Sequence, residues 1–244
     1  MTLKWATVVP GSEAAAGSGM TGARRCVLSI PGESLTGAVV KRDPLPQVLA
    51  EAFSALLLRG WGLLVPRPFL VQEGQTISFA SADVGYPNLS QRLGVDAFPP
   101  GSPEHAQAVF VAATLACSLP TAALAATADE AIQNRDRNLG NILWDGSDEA
   151  WIDHAFALGN GSHLPDANKL CEMAILTGQA DALKATAIAQ WAALDRAEPA
   201  TAANMLDPVA DLAPSASFVT ARLNQLGMLL LSRFPSPRDL LSAQ

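Results

Sequence analysis

The first third of the chain alternates short apolar runs with turn residues. Residues 26–30 form a β-type run, Pro31-Gly32 marks a turn, and residues 35–41 read as a second strand that closes a hairpin with the first. Pro44 and Pro46 end it. From 47 to 60 the period changes, with Val48, Leu49, Phe53, Leu56 and Leu57 at helical spacing and Gly60 and Gly62 as stop signals. Residues 63–71 are extended, and 76–79 are the expected partner strand. A Gly/Pro/Asn-rich connection follows over 80–103. Beyond it the pattern predicts helices at 104–117, 121–132, 166–177, 179–195, 198–206 and 215–232. Two β-type runs interrupt them, 141–144 and 150–153, joined through Asp145-Gly146, a strong hairpin signal. The expectation is an α+β chain of two lobes: a small β-rich lobe with one helix over 1–82, and a helical lobe carrying one hairpin over 83–244.

Composition supports packed lobes. The chain has 244 residues, 49% hydrophobic and only 16% charged, so it can bury substantial cores in Ala-rich helices. Residues 106–128 are built from Ala, Thr, Ser and Cys around Pro120, which suits core helices and not a Leu/Ile/Val-rich membrane span. Residues 5–9 are a short apolar run after Lys4, followed by Pro10 and Glu13, and do not make a signal peptide. The net charge is −7 with no basic stripe, which argues against nucleic acid as a partner. A nucleotide ligand stays open, because a few cations and a metal suffice for its phosphates. The three cysteines are scattered with no CxxC pair, so they predict reduced thiols in a cytoplasmic protein and neither a zinc site nor a disulfide framework.

The chemistry is concentrated between a helix and the hairpin. Asn134, Arg135, Asp136, Arg137 and Asn138 follow one another, Asn141 opens one strand, and Asp153 closes the next. A hairpin brings its two ends together, so two carboxylates and an amide gather around one cavity. Phosphoryl transfer needs such a set: a carboxylate to orient the attacking hydroxyl, and oxygen ligands for Mg²⁺ on the phosphates.

The string N-R-D-R-N-x-G-N…I-D-H-x-x-A-L over 131–158 resembles the catalytic and metal-binding loops of HipA-like kinases, and is similar to the D-R-H-x-x-N…D-F-G arrangement of phosphatidylinositol kinases. The resemblance implies a two-lobed protein-kinase-like fold that binds ATP and Mg²⁺ between its lobes. It makes Asp136 the catalytic residue and Asn141 and Asp153 the magnesium ligands. It also makes Lys41, at the end of V-V-K, the lysine on the ATP phosphates, and Glu51, ten residues on, its partner; the ordinary alternative for Lys41 is a solvated strand-end lysine. The implied acceptor is a Ser/Thr hydroxyl of a protein substrate. A catalytically silent binding module and an AMP-transferring enzyme on the same scaffold are the competing readings.

Two segments compete to cover the phosphates: GSGMTG at 17–22, which fits neither G-x-G-x-x-G nor the P-loop pattern, and the turn Pro31-Gly32-Glu33-Ser34. One of Arg135 and Arg137 is expected to pair with Asp129 or Asp153 to hold the loop, leaving the other for substrate. Asp129 and Glu130 read as solvated helix charges, and Trp144 and Trp151 as a cross-strand pair.

Overall fold

The computed structural model describes residues 3–16 and 22–235, and its elements change type along the chain. The first part carries β1 (Lys4–Val8), β2 (Ala14–Ala15), β3 (Arg24–Ser29), β4 (Thr36–Lys41), α1 (Leu45–Gly60), β5 (Pro68–Glu73) and β6 (Thr76–Ala82). The expected hairpins β3–β4 and β5–β6 are both antiparallel. β1 was not anticipated as a strand. Its five residues alternate exposure too briefly to stand out, and it is fixed by neighbours far along the chain. It runs parallel to β5 and antiparallel to β3, so the order β1-β5-β6-β4-β3 closes on itself, with β2 added outside β3.

Strand alternation sorts side chains to the two faces of this closed sheet. Leu28, Ala38, Val40, Phe69, Val71 and Ala80 form one apolar cluster. Val39 and Lys41, out of phase with Ala38 and Val40, line the cleft toward the second part of the chain. α1 begins with Pro46 in its first turn, where a missing N–H costs nothing. It buries Val48, Phe53, Leu57 and Leu58, and with them Glu51.

The remainder is helical: α2 (Leu89–Arg92), α3 (Pro103–Ser118), α4 (Ala122–Ile132), α5 (Lys169–Leu176), α6 (Ala180–Ala193), α7 (Glu198–Leu206) and α8 (Ala213–Ser232), with the hairpin β7 (Ile142–Trp144) and β8 (Glu149–Trp151). α2 lies in the stretch read as connection and is held by a reciprocal capping box between Asn88 and Gln91. No single described helix is long and apolar enough to cross a membrane. α3 and α4 reach that length only together, and they bend by 91° at the break containing Pro120. Every residue of α4 is buried, and its alanines let α6 and α8 approach it closely.

The hairpin turn forms as the Asp-Gly signal requires. Asp145 Oδ1 accepts the Ser147 and Asp148 N–H groups at 2.8 Å each, and Gly146 takes a φ of 116°. The tryptophans are not a cross-strand pair: Trp144 stands opposite Glu149, and Trp151 opposite Ile142. Trp151 is buried and donates to Thr121 Oγ1 at 2.8 Å, while Trp144 lies beneath the Arg92 guanidinium.

Candidate active site

Lys41, Glu51 and Asp153 meet in the cleft. Lys41 Nζ donates to Glu51 Oε1 at 2.5 Å and to Asp153 Oδ1 at 2.8 Å. Glu51 is 1% exposed, and its second oxygen accepts the His154 N–H at 2.8 Å. A charge this deep persists only when paired and hydrogen-bonded. Burial works against the Lys41 ammonium, but Glu51 and then Asp153 outweigh it and hold its pKa above the ordinary value. Burial likewise opposes the Glu51 carboxylate, and Lys41 and the His154 contact overcome it, so its pKa lies far below the usual range.

The loop behind this triad starts at a strained turn. α4 ends with Gln133 in the left-handed region, φ 56°, and Asn134 N–H closes the cap on Asp129 O at 2.8 Å. Asn134 then donates to Asp129 Oδ1 at 3.0 Å and receives the Asp136 N–H at 3.3 Å. Arg137 is the pairing arginine. Its Nε and Nη2 bond both oxygens of Asp129, and its Nη1 bonds Asn141 O at 3.0 Å and Ile152 O at 2.7 Å. Nη2 also reaches His154 Nε2 at 3.1 Å. A guanidinium only donates, so Nε2 accepts and the Nδ1 hydrogen faces Glu51. Arg137 thereby ties α4, the loop and both strands of the hairpin to one point. Arg135 turns instead to Leu164 O and Asp166.

Asp129 and Glu130 are therefore not solvated: they are 1% and 3% exposed. Asp129 holds Arg137, and Glu130 holds Arg222 and Arg233. The sequence offered no signal for this, because the partners of Glu130 lie 92 and 103 residues away.

Asn141 and Asp136 are brought together by the loop itself: Asn141 Nδ2 donates to Asp136 O at 2.9 Å. Asp153 follows the hairpin with φ 66°, a conformation that is costly for a residue with a side chain and is found where geometry is over-determined. Burial raises the Asp136 pKa, the like charge of Asp153 adds to this, and Arg137 and Lys41 oppose it. Asn141 Oδ1 and Asp153 Oδ2 accept no hydrogen bond among the described residues. The described residues contain no cluster of three His, Cys, Asp or Glu side chains suited to a metal.

The cleft holds a cavity of about 70 Å³ that opens to solvent, and its apolar walls come from Val39, Val65 and Phe79 on one side and Leu143 and Ile152 on the other. Sequence reasoning did not single out Val39 and Leu143. Each lies two residues along a strand-like run from a candidate site residue, Lys41 and Asn141, and the period of two was the signal available.

Of the two glycine-bearing segments, residues 17–21 lie outside the described residues. Their flanks pair as a hairpin, Ala14 with Arg25 and Ala15 with Arg24, and Arg24 stands opposite Val40 beside Lys41. The 31–34 turn follows the other end of β3–β4, where Leu28 meets Thr36, about 17 Å from Lys41 at 3.4 Å per residue. There Glu33 is bound by Lys4 and Arg67.

A closed β-rich lobe, a helix that sets a buried glutamate against a strand lysine, and a loop and hairpin beneath them define a two-lobed kinase-like fold. No family model and no curated protein matches the sequence. Among solved structures the chain is similar to the proinflammatory kinase CtkA of Helicobacter pylori, with 15% identity, a TM-score of 0.54, and coverage of 96% of this chain and 98% of that one. It also aligns with HipA of Shewanella oneidensis MR-1, solved with HipB and operator DNA, at 14% identity and a TM-score of 0.49, over 92% of this chain and 66% of that one. The likeness to CtkA shows the fold, and that fold is of the kinase-like type that the motif at residues 131–158 leads us to expect.

Proposed function

We propose that this protein is an ATP-dependent, Mg²⁺-requiring kinase that transfers the γ-phosphoryl group to a hydroxyl, a Ser or Thr of a protein substrate, in the cytoplasm. The observation that carries the reading is the Lys41 ammonium held between Glu51 and Asp153 at the cleft. Lys41 neutralises phosphate charge there, and Glu51 fixes its direction. Val39 and Leu143 offer the apolar faces between which a purine ring stacks.

The donor set fits magnesium. One carboxylate and one amide oxygen, Asp153 and Asn141, match an ion that takes few protein ligands and completes its shell with phosphate and water. Bound there, Mg²⁺ supplies charge neutralisation of the transferring phosphoryl group. Asp136 orients the acceptor hydroxyl and receives its proton, and its raised pKa suits that role. Arg137 keeps Asn141 and Asp153 in place through Asn141 O and Ile152 O.

Intact-protein mass spectrometry after incubation with Mg-ATP and a protein lysate tests the reading, beside Asp136→Ala and Asp153→Ala. Phosphate gained by the protein or its acceptors with the unsubstituted chain, and with neither variant, supports it. AMP gained instead overturns it in favour of nucleotidyl transfer. No gain of either kind, with Mg-ATP still bound, overturns it in favour of a silent binding module.

A further inference from the structure

α1 lies between strands of the small lobe but is tied to the large lobe along its whole length. At its start, Asn160, in the turns after Asp153, donates to Pro46 O and to Ala155 O at 3.2 Å each. At its middle, the His154 N–H donates to Glu51. At its end, Trp61 caps the helix and donates from Nε1 to Asp195 O at 2.9 Å. Next to it Gly60 lies against the first turn of α7, where an added Cβ would stand 1.9 Å from Glu198 Oε1 and 2.6 Å from its Cγ. α7 packs along α1 between these points, burying Pro199, Ala202, Ala203 and Leu206. A helix fastened at its start and middle by the turns at 154–160, and at its end by residues 195–198, has no free end about which to swing.

We propose that α1 is a fixed part of the large lobe, and that Trp61 and Asn160 are positioning residues that keep Glu51 on Lys41. The site then assembles without a helix movement and without an activating partner. This rests on the kinase reading for its functional meaning, but the fixing of α1 is tested without it.

Hydrogen–deuterium exchange on the whole chain is the first arm. Without nucleotide, the α1 amides exchange within about a hundred-fold of those of buried α4. Faster exchange than that, or a comparable slowing when Mg-ADP is added, overturns the proposal. Trp61→Phe with Asn160→Ala keeps the ring and removes both ties. It speeds α1 exchange by about ten-fold or more while α4 is unchanged; an unchanged α1 overturns the role of the ties.

The second arm is rescue. In Gly60→Cys/Glu198→Cys the two Cβ atoms are close enough to bridge, because a Cβ at 60 already stands 2.6 Å from Glu198 Cγ, one bond from the Glu198 Cβ. Closing that link in the Trp61→Phe/Asn160→Ala background restores slow α1 exchange and returns KM for ATP to the unsubstituted value, and a reductant reverses both. A link that leaves α1 exchange fast, or that reversibly silences an otherwise active chain, overturns the proposal. A chain that transfers no phosphate at all contradicts the kinase reading, and the exchange arm still decides whether α1 is fixed.

Discussion

The Arg137 guanidinium and the Asp129 carboxylate meet in two hydrogen bonds, 2.9 and 2.8 Å long, with 0% and 1% of their side chains exposed. Removing one partner strands the other charge in the core, which costs about 3–5 kcal/mol. Against a typical stability of about 5–15 kcal/mol, Asp129→Ala should remove a large fraction of the total. Arg137→Met/Asp129→Leu, which removes both charges, should recover most of the loss. Urea unfolding midpoints measure this. A loss below about 1 kcal/mol in Asp129→Ala would show that the pair does not organise the loop.

Asp136 titrates above an ordinary aspartate because burial and the Asp153 charge both disfavour its ionised form. A carboxyl whose folded pKa is raised weakens the fold once pH rises past its unfolded value, near 3.8, and through its folded value. Asp136→Asn should therefore stabilise the protein at neutral pH and make no difference in strong acid, while abolishing transfer. Metal-free carboxyl titration by NMR gives the same answer directly: Asp153→Asn should lower the Asp136 pKa.

The cleft walls carry a separate prediction. Val39→Phe adds bulk to the cleft that Val39 and Leu143 both line and replaces none of its charged groups. It should weaken Mg-ATP binding by about ten-fold or more, a change of about 1.4 kcal/mol or more, and leave thermal stability near that of the unsubstituted chain. Binding at unchanged affinity would place the base elsewhere.

Glu130 and Asp166 share Arg233 but differ in exposure, their side chains being 2% and 62% exposed. Glu130→Ala leaves Arg222 and Arg233 without their buried carboxylate and should cost about 3–5 kcal/mol. Asp166→Ala should cost less than about 1 kcal/mol, as exposed pairs do. Denaturant unfolding of the two variants tests the order, and the reverse order would contradict this burial account.

Local pattern carried the three hairpins, α1 and the helices expected at 198–206 and 215–232, found at Glu198–Leu206 and Ala213–Ser232, into view from the sequence, because each is written in its own residues. Lys41, Glu51, Asp136, Asn141 and Asp153 are singled out by residue type, spacing and the resemblance, and the fold brings Lys41 onto Glu51 and Asp153, and Asn141 onto the Asp136 backbone. What stayed hidden depends on distant partners. β1 is a strand because β3 and β5 flank it. Asp129 is buried because Arg137 returns to it across the strained turn at Gln133, and Glu130 because α8 lies against it. That the flanks of residues 17–21, and not the 31–34 turn, lie at the Lys41 end of the β3–β4 hairpin follows only from the strand register.

Calorimetric titration with Mg-ATP tests the central claim, that Lys41 and Asp153 hold the nucleotide. Saturable one-to-one binding that needs Mg²⁺ should weaken by about ten-fold or more in Lys41→Ala and in Asp153→Asn, and persist in Asp136→Ala. Equal affinity in all four proteins, or binding indifferent to Mg²⁺, would contradict the account.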